Sequence, residues 1–279
     1  MATTTYAKGG IPLRDLPFST STAATTAKLY TLSITSTVSP STLAPSTIST
    51  THSLLPTSAP FLPTSTLQIQ TAGKALFRLP SPPKDLTTPI FSPETGRPVY
   101  LSVRSKRSSG SCELVDAESE AGTVLASTIY HWGPGKNPVV RINHEGGEGE
   151  EFEVLGKSLV SRTTVFECRW GRFEWRYVGR KERAEGVSSL LVLERVEGGK
   201  RVKTAQLVRG EGTRSLGSSG SSAGNGGRLE MCLDVLEGEG NVVDEPTVVS
   251  TCLVMLKKEV DRRRALQVAM ISVAISGAH

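Results

Sequence analysis

The sequence predicts a mainly β protein: an antiparallel barrel or sandwich with one hydrophobic C-terminal helix, preceded by a disordered N-terminal tail. Three observations carry this expectation. The first 72 residues are dominated by Ser, Thr and Pro. From about residue 89 short alternating runs succeed one another with no helix between them. One strong apolar helix pattern appears, and only after Pro246. Strands in series at hairpin spacing favour a barrel or sandwich over a parallel α/β sheet.

Residues 1–72 hold 29 Ser or Thr and seven Pro, one acid (Asp15) and three basic residues (Lys8, Arg14 and Lys28). Such a segment offers little apolar area to offset the entropy of ordering, so a disordered tail is expected there. No basic stretch precedes a continuous apolar run at the start, so no signal peptide is expected. The four cysteines, Cys112, Cys168, Cys232 and Cys252, form no CxxC pair and lie in or beside apolar runs. That suits buried free thiols in a reducing, cytoplasmic setting. One domain is expected over residues 73–279.

Within it, "PETG" (Pro93–Gly96) is a turn, and Val99, Leu101 and Val103 alternate after it as in a strand. "SCELVDAE", "GTVLASTIYHW" and "VVRI" follow at strand length. "HEGGEGEE" (His144–Glu151) reads as an acidic loop. "RTTVFECRWGRFEWRYVG" (Arg162–Gly179) is the clearest hairpin: Thr164, Phe166 and Cys168 share one face of its first arm, and Phe173, Trp175 and Tyr177 one face of its second. Arg172, Glu174 and Arg176 fall on the other face. "SSLLVLERV" and "KTAQLVRG" pair around "EGGK", residues 211–227 read as a flexible Gly/Ser loop, and "RLEMCLDVLEG" is the last strand. Eight to ten strands are expected in all.

The helix is expected over about 246–264. Asp244 or Glu245 can cap it, and Pro246 suits a first turn, where its missing N–H is not needed. Val249, Leu253, Leu256 and Val260 form one stripe, and Val248, Cys252 and Met255 a second beside it. A helix apolar nearly all round belongs in a core or a membrane. "VVSTCLVML" is too short for a span of about 20 residues, and "KKEVDRRR" interrupts it, so no transmembrane span is expected. The enclosed helix should emerge into water at those charges. "ALQVAMISVAI" beyond them must fold back or leave an exposed patch.

Functional motifs are few. "GSSAG" (Gly220–Gly224) matches GxSxG by chance inside a Gly/Ser repeat, without the strand and helix a nucleophile elbow needs. "GPGKNP" lacks the ending of a phosphate-binding loop. His144 with Glu145 and Glu148 matches no structural zinc spacing. No catalytic residue, metal or cofactor is therefore expected. The helix is apolar where a groove-reading helix would be exposed, so no nucleic acid is expected as partner. The net charge of +5 and pI near 9.1 favour mild attraction to anionic surfaces. The candidate anion-binding residues are Arg169, Arg172, Arg176, Arg180 and Lys181 on or after the hairpin, with Arg201 and Lys203 on a later pair. Exposed strand charges that keep an edge soluble are the competing reading of the same residues.

"YHW" (Tyr130–Trp132), "VFECRWGRFEWRY" (Val165–Tyr177) and "VDEPTVVSTCLVMLKKEVDRRR" (Val243–Arg264) together resemble the tubby C-terminal-like superfamily, which includes LURP-one-related and phospholipid-scramblase-like proteins. More specifically they are similar to a group of small fungal proteins with that fold. The resemblance covers roughly residues 75–276. It implies an antiparallel closed barrel of about a dozen strands wrapped around the hydrophobic C-terminal helix, and a non-enzymatic module recognising anionic phospholipid headgroups at a membrane surface. The basic residue pair through which tubby proteins bind phosphoinositides has no counterpart at an alignable position. The alternative is a monomeric scaffold that binds another protein, with the tail as a regulatory segment.

Overall fold

The structure, a computed structural model, describes residues 61–75 and 86–276 except 132, 134–135, 145, 159–160 and 234–242. The tail expected over 1–72 lies outside the described residues up to residue 60.

Thirteen antiparallel strands form one sheet that curls into a nearly closed barrel. They are β1 (Ser65–Ile69), β2 (Thr87–Phe91), β3 (Pro98–Val103), β4 (Cys112–Asp116), β5 (Val124–Ile129), β6 (Val139–Ile142) and β7 (Glu150–Glu153). The rest are β8 (Leu155–Gly156), β9 (Thr164–Cys168), β10 (Gly171–Tyr177), β11 (Val187–Glu197), β12 (Lys200–Gly210) and β13 (Arg228–Met231). Helix α1 (Glu245–Ser276) follows. Apart from β7 and β8, strands adjacent in sequence pair with one another, and the circle is joined where β1 lies between β2 and β13. The sheet's two ends, β7 and β8, are halves of one extended run. β7 pairs with β6, the Val154 N–H donates to the Pro138 carbonyl, and β8 then pairs with β9. Phe152, Phe166 and Phe173 stack across this seam with ring centres 5.2 and 5.3 Å apart. Closure removes the exposed edges that an open sheet leaves unpaired.

The first arm of the expected hairpin is β9 and the second β10, with Phe166, Phe173 and Trp175 fully buried as period-two alternation requires. Two expectations on the strands are corrected. The tail expected to reach residue 72 takes in the whole of β1, yet Leu67 and Ile69 of "STLQI" are buried and the strand is paired on both sides. The acidic loop His144–Glu151 ends inside β7, where Phe152 turns inward from a run of exposed acids.

α1 threads the barrel. Asp244 caps it, accepting the Thr247 N–H at 3.1 Å, and Glu245 accepts hydroxyls from Ser65 and Tyr100, both at 2.7 Å. Thr247 to Leu256 are buried except Leu253, which is half-buried. Ten residues at 1.5 Å give about 15 Å of enclosed helix. Trp175 Nε1 donates to Thr251 Oγ1 at 3.0 Å, fixing helix to wall.

The helix is longer than the expected 246–264, and it does not reach water at its charges. Lys257 to Arg264 stay half-buried, and exposure begins at Ala265. The reason is the wall: β11 and β12 each run 11 residues, and the segment after β12 folds over the helix. That segment is the expected flexible loop, 211–227, and it is anchored. Ser215, Gly224, Asn225, Gly226 and Gly227 are buried, and Lys74 and Ala223 exchange backbone hydrogen bonds of 2.7 and 2.9 Å. Gly224 has φ of +68°, and a Cβ there would stand 2.5 Å from the Leu256 carbonyl oxygen. A Cβ on Gly226 would meet the Ile69 carbonyl at 2.0 Å. These glycines exist for close approach rather than for looseness.

A basic rim around the departing helix

Because the strands alternate in direction, their connections alternate between the two ends of the barrel. Connections β2–β3, β4–β5, β6–β7, β8's partner turn β9–β10 and β11–β12 lie at the end where α1 enters. Connections β1–β2, β3–β4, β5–β6, β8–β9, β10–β11 and β12–β13 ring the end where it leaves.

The two ends differ in charge. The entry end carries Glu94, Glu118, Glu120, Glu148, Glu150, Glu197 and Asp244 against Arg97, Arg169, Arg172 and Lys200, among the described residues. The exit end carries Lys106 and Arg107 after β3, Lys136 after β5, Lys157 and Arg162 after β8, and Arg180, Lys181 and Arg183 after β10. All of these but Arg183 are exposed. Among the described residues, Glu182, Glu185 and Glu211 are the acids on the exit-end connections. Inside the ring the helix adds Lys257, Lys258, Arg262, Arg263 and Arg264.

The helix charges are held in three ways. Glu259 and Arg209 form a buried bidentate pair at 2.7 and 2.9 Å, with Asn225 accepting from Arg209 at 3.1 Å. Glu259 also accepts the Gly224 N–H at 2.6 Å and the Tyr177 hydroxyl. Burial pushes the Glu259 carboxyl up, but Arg209 and the other donors outweigh it and hold the group below its usual range. Asp261 sits between Lys257, at 2.6 Å, and Arg264, at 3.6 Å. Lys257 also lies 4.6 Å above the Tyr130 ring. Lys258 donates to the Val154 carbonyl at 3.2 Å, and burial with Arg262 nearby lowers its amine to about 8. Arg263 donates to the Ser221 carbonyl at 2.9 Å.

The seven candidate residues do not form one patch. Arg180 and Lys181 stand on the exit rim, in a short 3-10 turn, Arg180–Glu182. Arg169 lies at the opposite end, over the Trp170 ring at 4.3 Å and beside Glu150. Arg172 is exposed near it at the start of β10. Arg176 and Arg201 are committed to the outer wall: Arg176 donates twice to Glu194, at 2.9 and 2.6 Å, and Arg201 bridges Glu194 and Glu174. Glu174 therefore pairs across the strands with Arg201 and Lys157, not with the arginines on its own strand. Lys203 donates to Gln206 and lies 4.4 Å from the Phe61 ring centre. What sequence reading missed is Lys106 and Arg107, although "RSKRSS" (Arg104–Ser109) between two strands is a visible basic cluster.

Ser222 of the chance GxSxG lies in a turn, its hydroxyl within 3.1 Å of Ser219 Oγ. His144 Nδ1 faces Arg169 at 3.2 Å rather than a carboxylate. Among the described residues no group of His, Cys, Asp and Glu stands together as a metal site. No family model matches the chain, and no curated protein or solved structure matches it.

Proposed function

We propose that the protein is a non-catalytic module that docks on anionic phospholipid headgroups through the exit rim. The observation that carries this reading is the charge difference between the barrel's ends, with the basic end also being the one through which α1 leaves. A one-sided field orients the molecule as well as attracting it. An antiparallel barrel around a C-terminal helix is also what the tubby-like resemblance implies, which supports the same reading.

Magnitudes set the strength. A basic side chain near an anionic leaflet contributes about 1 kcal/mol. Four or five rim residues then supply about 4–5 kcal/mol, equivalent to a dissociation constant of about 1 mM or somewhat below. Such binding is reversible and strongly salt-dependent, since the Debye length falls from about 10 Å at 0.1 M to about 3 Å at 1 M salt.

Flotation of the full chain with vesicles tests this. Capture by phosphatidylcholine vesicles containing phosphatidylserine, absent with phosphatidylcholine alone, is the expected result. Equal recovery from both at low salt contradicts it.

A further inference from the structure

Beyond Arg264 the helix continues for twelve residues, "ALQVAMISVAIS", without a charge. Gln267 is buried, its Nε2 donating to the Ala75 carbonyl at 3.0 Å, so the rim still holds the helix there. Past it Val268, Met270, Ile271 and Val273 are exposed, Val273 at 72%. At 100° per residue Leu266, Met270 and Val273 point one way, and Val268 and Ile271 point the other. The projection is thus apolar on opposite faces. A helix that docks in a protein groove, or lies flat on a surface, covers one face and keeps the other polar. This one has no polar face to leave outside.

Its remaining polar side chains are turned inward on the backbone. Ser272 donates to the Val268 carbonyl and Ser276 to the Ser272 carbonyl, both at 3.0 Å. Neither hydroxyl needs water. The backbone is helical throughout, so its groups are paired within the helix up to Ser272, and the carbonyls of the last turn are the ones left over. Among the described residues no helix is long and apolar enough to cross a membrane. Val268 to Ser276 is nine residues, about 13 Å. One leaflet of a hydrocarbon core of about 30 Å is about 15 Å deep.

We propose that Val268–Ser276 is a wedge that enters one leaflet of an anionic bilayer, with Arg262 and Arg263 at headgroup level around its base. The proposal rests on the headgroup reading of the rim and adds to it. The rim alone gives weak, salt-sensitive attachment, and stable anchoring takes a second, apolar contribution. The wedge supplies that contribution from the same end of the barrel, along its axis. The charged collar sets the depth, because arginines resist passing below the headgroups.

The test uses the full chain carrying Ile271→Trp, mixed with phosphatidylcholine–phosphatidylserine vesicles whose acyl chains are brominated. The expected result is tryptophan quenching beyond that of the unsubstituted protein, stronger with bromine on the acyl chain than in the headgroup region. In parallel, Met270→Asp with Val273→Asp should keep its thermal transition and its capture at low salt, and lose retention at high salt. Capture without added quenching overturns the wedge and leaves the headgroup reading standing. No capture of any variant overturns both. An aspartate pair that dissociates a dimer of the unsubstituted chain, with no quenching at residue 271, overturns the wedge in favour of a second copy as the occupant.

Discussion

The two ends of α1 have similar composition and opposite surroundings. Thr247–Leu256 and Val268–Val273 are both apolar on more than one face, yet the first is walled in and the second stands clear of the barrel. Hydropathy alone does not decide which segment is enclosed. The wall does: the folded-over segment 211–227 reaches Arg263, the chain after β1 holds Gln267, and the residues from Val268 are left outside. The charged middle is a fitted plug between the two, with Glu259 locked to Arg209 inside and Lys258 against the seam.

The comparison is broken most severely inside the barrel. Met255→Asp puts a carboxylate where the side chain is fully buried, and loss of the cooperative thermal transition is expected, because an unpaired buried charge costs more than a domain's whole margin allows. Met270→Asp, the same exchange on the projection, should shift the midpoint by only a few degrees at most. Circular dichroism melting of the two variants checks the contrast. Leu253 is a poorer probe than its place in the apolar stripe suggests, since it is only half-buried.

Next in size is the plug. Glu259→Ala leaves Arg209 buried without its carboxylate, and a loss of about 3–5 kcal/mol is expected. Replacing both residues by Met should recover much of it. Urea unfolding of the three proteins reads this directly.

The fold was legible where alternation was strong and the helix cap was explicit. Phe173 and Trp175 at period two, and Asp244-Glu245-Pro246 ahead of an apolar run, each fix their element locally. β1 was not legible, because "STLQI" is short and sits within Ser/Thr-rich sequence; its strand identity comes from β2 and β13 on either side. The anchoring of 211–227 was hidden too. Glycine-rich sequence signals freedom when read alone, and close packing when a neighbouring carbonyl is 2.0 Å from the missing Cβ. The candidate site was half legible. Arg180 and Lys181 were identified, but which basic residues share an end of the barrel depends on strand direction, and which are spent on ion pairs depends on register, as Arg176 opposite Val192 beside Glu194 illustrates.

Smaller effects sharpen the picture. The Lys258 amine ionises near 8 in the folded chain against its ordinary 10.5. Below pH 8 both states carry the proton and the folded one bears the burial cost. Between about 8 and 10.5 the unfolded state binds more protons, so stability should rise with pH across that window. Lys258→Met should flatten the rise in a pH series of denaturant midpoints. Smallest of all is Arg176→Ala on the outer wall. Its pair with Glu194 is partly exposed, and a change of about 1 kcal/mol or less is expected by urea titration.

The central claim is that the two ends of the barrel differ in what they bind. Flotation with phosphatidylserine-containing vesicles decides it when charge is reversed at one end at a time. Lys106→Glu with Arg107→Glu and Lys181→Glu, on the exit rim, should abolish capture while the protein stays folded. Arg169→Glu with Arg172→Glu, toward the entry end, should leave capture unchanged. Equal loss from both sets, or loss from the second alone, contradicts the account.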